Sequence, residues 1–109
     1  MQIELYIDGE KKVFTAPFVP MLAKRKYLEV MAKSEEKMKN DAEYANSAKA
    51  QLEEENELLG ILTDIVFKGQ FTIEQLINGA DNDYVYAKLR EAVFGEKPKE
   101  ETEEVIKKK

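Results

Sequence analysis

The chain has 109 residues, 43% hydrophobic and 36% charged, with no cysteine, no histidine and a net charge of −5. That length sustains one domain with a modest core, and the missing cysteine and histidine remove disulfides, thiol nucleophiles, thiolate metal sites and the commonest general base. The acidic balance argues against affinity drawn from phosphate neutralisation, and no apolar stretch approaches the ~20 residues that cross a bilayer.

Gln2 to Ile7 alternates, with Ile3, Leu5 and Ile7 on one side, and so predicts a half-buried strand. Asp8-Gly9 supplies a turn, Lys11 to Ala16 returns as a second strand, and Pro17 ends it because proline donates nothing to a ladder. A connection of three or four residues would set Leu5 against Val13 or Phe14. The opening strand, with Glu4 and Asp8, has no basic and apolar leader pattern, so a protein used in a cytoplasm is expected.

Two strands are marginal in water, so the hairpin needs helices against it. Pro20 suits the first position of a helix, and Ala23, Tyr27, Val30 or Met31, and Met38 trace an apolar stripe opposite Lys24, Arg25, Lys26 and Glu29. From Lys33 to Glu57 the chain is very polar. Ala45, Ala48, Leu52, Leu59, Leu62 and Val66 nevertheless draw a narrow seam, with a break at Asn40-Asp41 or one continuous helix as the two readings. After Leu58 the seam widens into a segment expected to be buried on most sides. Gly60 inside it implies either a closely approaching backbone or a bend.

The stretch Phe67 to Gly95 is the most tightly punctuated. Lys68-Gly69-Gln70 stops a helix, Thr72 and Gln75 form a capping box, and Phe71 can staple onto Leu76. A short helix then stops at Asn78-Gly79, and a last one runs from Asp83 as cap to Phe94, with Gly95 as its stop. The fold class is therefore α+β, mainly helical, with an N-terminal β-hairpin packed on three or four α-helices. Residues 1–95 form a single domain, and 96–109 are expected to be a charged, disordered tail, with only Val105 and Ile106 to bury.

Reaction chemistry finds no support. Glu53, Glu54, Glu55 and Glu57 point in different directions around a helix and read as a solvated face. Asp81-Asn82-Asp83 lacks the glycine and closing glutamate of a calcium loop. The glycines are too far apart to cradle phosphate, and Lys24-Arg25-Lys26 has no interleaved aromatic platform. Neither metal nor cofactor is expected. Tyr27, Met31, Met38 and Tyr44 on polar helices serve most simply as core filler. With the seam residues Ala45, Ala48 and Leu52 they could also form a groove for a partner's amphipathic helix, with Tyr27, Met31, Met38 and Leu52 as its contacts.

These residues resemble the tail assembly chaperones of long-tailed, siphovirus-type phages and prophages of Gram-positive bacteria. In that family a helix ends in an aromatic-x-Gly-Gln-Phe-Thr stretch, followed by a short helix closing in Gly and a last amphipathic helix ending in Phe/Leu-Gly. Here the stretch is Phe67-Lys68-Gly69-Gln70-Phe71-Thr72, then Ile73 to Gly79, then Tyr84 to Gly95. The opening IELYIDGEKKVFTAPFVP and the basic residues from Leu22 to Lys26 fit as well, so the resemblance spans residues 2–95. Gly69 stands where relatives often carry Asn, and Asn78 where Asp is common. The resemblance implies a non-catalytic helper of the host bacterial cytoplasm that binds the tape measure protein and yields to the major tail protein. It also implies absence from the mature virion, while the acidic charge and the lack of a long apolar stretch lead to the expectation of no nucleic-acid or membrane partner. Homo-oligomerisation fits the small size. The rival readings are a tail structural or completion protein and a helical oligomerisation adaptor.

Overall fold

Alternating apolar and polar residues make Gln2–Ile7 a strand, β1, paired antiparallel with β2, Glu10–Thr15. The structure, a computed structural model, describes residues 1–95, and the tail expected at 96–109 lies outside them. Asp8 (φ 55°) and Gly9 (φ 79°) both take left-handed backbone, as a two-residue type I′ hairpin turn demands. That turn pairs Ile7 with Glu10, Leu5 with Lys12 and Ile3 with Phe14. The longer connection expected from the sequence is thereby corrected: Val13 faces outward beside Glu4 and is exposed, and Leu5 does not oppose it.

Pro20 precedes the first helix rather than opening it. Its carbonyl accepts from the Ala23 N–H at 3.0 Å, and α1 runs from Leu22 to Asn40. Ala23 and Val30 are buried, Tyr27 and Met31 half-buried, and Met38 is exposed, so the stripe weakens along the helix. The break at Asn40-Asp41 is present, with Asp41 Oδ1 accepting from the Tyr44 N–H at 3.1 Å. A second break follows that the seam pattern concealed. Helix α2, Ala42–Ala45, lasts one turn before Ser47 caps α3, Ala48–Gly60, accepting from the Ala50 N–H at 3.2 Å. Asn46-Ser47 was the available signal, since such short polar side chains compete with the helix for its own backbone.

Helix α3 continues into a π-helical turn over Ile61–Val66, closed by the Phe67 N–H on the Leu62 carbonyl at 2.9 Å. A Cβ on Gly60 would meet only Asp64 Oδ2, at 3.8 Å, so the glycine marks this change of winding rather than a close backbone approach. A π turn spends one residue more per closed ring than an α turn, so each residue rotates less about the axis. Ile61, Leu62, Thr63, Val66 and Phe67 thereby stay on one buried face, with Asp64 outside it.

Lys68 (φ 50°) and Gly69 (φ 82°) then reverse the chain, the Gly69 N–H reaching the Thr63 carbonyl at 2.7 Å. Gln70 Nε2 donates to the Thr15 carbonyl at 3.0 Å and so ties this reversal to the end of β2. Phe71 is buried, its ring 5.0 Å from Phe14 and 5.3 Å from Phe67. The capping box forms as expected, with Thr72 and Gln75 exchanging bonds of 3.0 Å, and it starts α4, Ile73–Gly79. Helix α5 spans Asn82–Phe94 and stops at Gly95 (φ 76°). Its cap is Asp81, which accepts from the Tyr84 N–H at 2.8 Å, and not Asp83.

These helices hold β1. A Cβ on Gly79 would lie 2.7 Å from the Tyr6 carbonyl oxygen and 3.2 Å from Leu5 Cβ, so Gly79 is a contact residue as well as the end of a helix. Tyr84 Oη accepts from the Glu4 N–H at 2.9 Å. Ile3, Leu5, Leu62, Val66, Phe67 and Leu76 meet in one fully buried core.

The two glycines should respond oppositely to alanine. Gly79→Ala overpacks against backbone that cannot yield and is expected to cost about 1–3 kcal/mol. Gly60→Ala should be neutral or stabilise by up to about 1 kcal/mol. Urea unfolding followed by circular dichroism measures both.

Candidate functional site

The seam on α3 divides at the point where α5 ceases to cover it. Leu59, Leu62 and Val66 are buried, Ala45 is half-buried, and Ala48 and Leu52 are exposed, Leu52 by 61%. Helix α5 meets α3 through Tyr86, whose hydroxyl donates to Glu55 Oε2 at 3.0 Å. On the open side of that bond lies a groove of about 500 Å³, lined by Ala48, Gln51, Leu52, Leu58 and Tyr86 and by Glu54 and Glu55. Its apolar floor and acidic lining suit another polypeptide's side chains.

The acidic run beside the groove is not a uniformly solvated face. Glu53 and Glu57, four residues apart, share the helix face turned to α1 and α2, while Glu55 lies on the side turned to α5. Glu53 accepts from Tyr44 Oη on α2 at 2.8 Å, Glu55 binds Tyr86, and Glu57 holds Lys33 on α1 with Nζ 2.8 and 2.9 Å from its two oxygens. Lys37 Nζ adds a looser approach to Glu53 at 3.8 Å.

Burial, helped by the bond to Glu55, pushes the Tyr86 hydroxyl up to about 12. The bond to Glu53 raises Tyr44, with burial adding to it. The bond from Lys33 holds the Glu57 carboxyl below its usual range, although partial burial opposes it. Each shift moves a group away from neutrality, the opposite of what proton transfer needs, so these contacts act as fixed ties. Among the described residues no group of three His, Cys, Asp or Glu could hold a metal ion.

The four residues expected to contact a partner do not share one surface. Leu52 lines the groove; Tyr27, Met31 and Met38 do not. Tyr27 and Met31 pack against the core, and the Tyr27 ring meets Phe94 edge-on at 5.3 Å. Met38 is 46% exposed near the end of α1. Tyr86 and Gln51 were missed. The sequence signal for Tyr86 was an apolar helix position occupied by a side chain whose hydroxyl needs a partner.

Fold and groove together describe a small, mainly helical protein with an N-terminal hairpin and an open groove on α3. Over residues 1–109 the chain matches the family of phage tail chaperone proteins, and it belongs to that family. No curated protein and no solved structure matches it. No helix among the described residues is long and apolar enough to cross a membrane.

The Lys33–Glu57 tie gives a signed pH dependence. A carboxyl depressed in the folded state contributes stability above its unfolded value and loses it as pH falls through its folded value. Lys33→Met should therefore unfold at lower urea than the parent at neutral pH. The gap should close below the carboxylate range, and urea midpoints at the two pH values would show it.

Proposed function

We propose that this protein is a non-catalytic tail assembly chaperone that binds and shields the tape measure protein while a siphovirus-type tail is built. It would act in the cytoplasm of a Gram-positive host, release its client as major tail protein assembles, and stay out of the mature virion. Membership of the tail chaperone family supports the role. The observation that carries the client reading is the α3 groove, where an apolar seam runs past its cover and leaves Ala48 and Leu52 open to solvent.

A long helical client exposes apolar faces that would aggregate before assembly. A groove of this shape accepts one such face, and its carboxylates favour client helices flanked by Lys or Arg. Leu52 and its neighbour Ala48 are the central contacts, with Met38 as a more distant one. Tyr27 and Met31 act by holding the core.

Co-expression with apolar segments of the tape measure protein tests this. Ala48→Glu with Leu52→Glu should abolish co-purification and leave the circular dichroism intact, whereas Tyr27→Glu should lower stability itself. Retained co-purification by the folded double variant would sink the groove as the client site.

A further inference from the structure

The chain's charge is divided between its halves. Residues 1–40 carry eight Lys and Arg against six Asp and Glu, while residues 41–95 carry four against eleven. The basic excess includes an outward face at the start of α1. Met21, Lys24, Arg25 and Leu28 sit at spacings of three and four, so they lie on one side of the helix. Met21 is 77% exposed and Leu28 51%, and Phe18 is exposed just before them. Neither Lys24 nor Arg25 has an ion-pair partner among the described residues. Contacts among the described residues do not occupy this face.

The α3 groove has the complementary pattern. Met21 and Leu28 bracket two cations over about 10.5 Å of helix, and the exposed Leu52 and the buried Leu58 of the groove floor bracket Glu54 and Glu55 over about 9 Å. Among the described residues Glu54 makes no hydrogen bond or ion pair, and Glu55 uses only Oε2, on Tyr86. We propose that copies of this chain dock head to tail, the Met21/Lys24/Arg25/Leu28 face of one entering the α3 groove of the next. The two surfaces differ, so the contact is heterologous and propagates to rings or open chains rather than stopping at a dimer. Each copy in such a chain has its groove covered by another copy's basic, apolar helix, which guards the apolar floor. This inference concerns the chain alone and does not rest on the identity of any client.

Sedimentation velocity of the purified chain, without client, provides the test. The wild type should grow beyond a dimer with concentration and shrink as salt rises. Two variants each break one surface: Lys24→Glu with Arg25→Glu on the face, and Leu52→Asp in the groove. These positions are exposed, and circular dichroism checks that both variants fold. Each alone should stay monomeric, with self-affinity reduced on the order of ten-fold or more. Mixed, they should form a one-to-one dimer that grows no further, since one supplies only the groove and the other only the face. A monomeric wild type, growth of either variant alone, or no dimer in the mixture overturns the proposal. A monomeric wild type whose Lys24/Arg25 variant loses tape measure binding would assign the face to a client instead.

Discussion

The approach of Gly79 to the backbone of Tyr6 sets how closely α4 can lie on β1, and the rest of the domain follows from it. Any side chain there would put a Cβ 2.7 Å from the Tyr6 carbonyl oxygen, so only glycine lets the last turn of α4 lie this close to the strand. Leu76, one turn earlier, then reaches the core beneath Ile3 and Leu5. The short link through Ala80 and Asp81 brings Tyr84 to the Glu4 N–H, so a backbone donor on the outer edge of β1 is satisfied by a side chain. A two-stranded hairpin is marginal alone. Here its apolar face is buried and one of its edges is held, while the exposed edge strand β2 carries Lys11 and Lys12, charges that discourage pairing with other chains.

The opposite side of the core depends on a change of winding. An unbroken α-helix from Ala48 to Phe67 would spread Ile61, Leu62, Thr63, Val66 and Phe67 over most of its circumference. Slower rotation in the π turn gathers them onto one face, where the hairpin, α1 and α5 can cover them together. Gly60, in ordinary right-handed backbone, stands at the entry to that turn, and Lys68-Gly69, both left-handed, stand at its exit and reverse the chain. Gln70 then fastens the exit to β2, which joins the two sides of the core at one point.

Much of this was legible because it depends on local chemistry. Alternation placed β1, and Thr72 with Gln75 placed the start of α4. Asp41 placed the break after α1, and Gly95 the end of α5. The misreadings concern features that local pattern does not determine. The hairpin register depended on a choice between loop lengths, and Asp8 in left-handed backbone decided it. Gly79 reads as a helix stop in any sequence, and only the packed strand shows that it also must lack a side chain. The π turn leaves no periodic trace in six residues, and Asn46-Ser47 was overridden by a seam that runs straight through it. For the groove, Leu52 and Ala48 were visible in the seam. Tyr27 and Met31 are equally apolar, and their place against the core depends on where α5 crosses α1.

That crossing explains why the groove is open. Helix α5 is fixed near its start by Tyr84 on Glu4, in its middle by Tyr86 on Glu55, and at its end by the Phe94 ring against Tyr27. A helix held at three points cannot slide along α3 to reach Leu52. Moving it would break the bond that satisfies a strand donor and expose Leu89 and Val93, which are now buried. Helix α2, the other neighbour of that end of α3, is a single turn held by Asp41 and by Tyr44 on Glu53, and it too is committed elsewhere. The exposure of Ala48 and Leu52 is therefore a consequence of constraints that build the core. An apolar stripe that the fold leaves uncovered for structural reasons is a surface on which a partner can bind without the domain having to open.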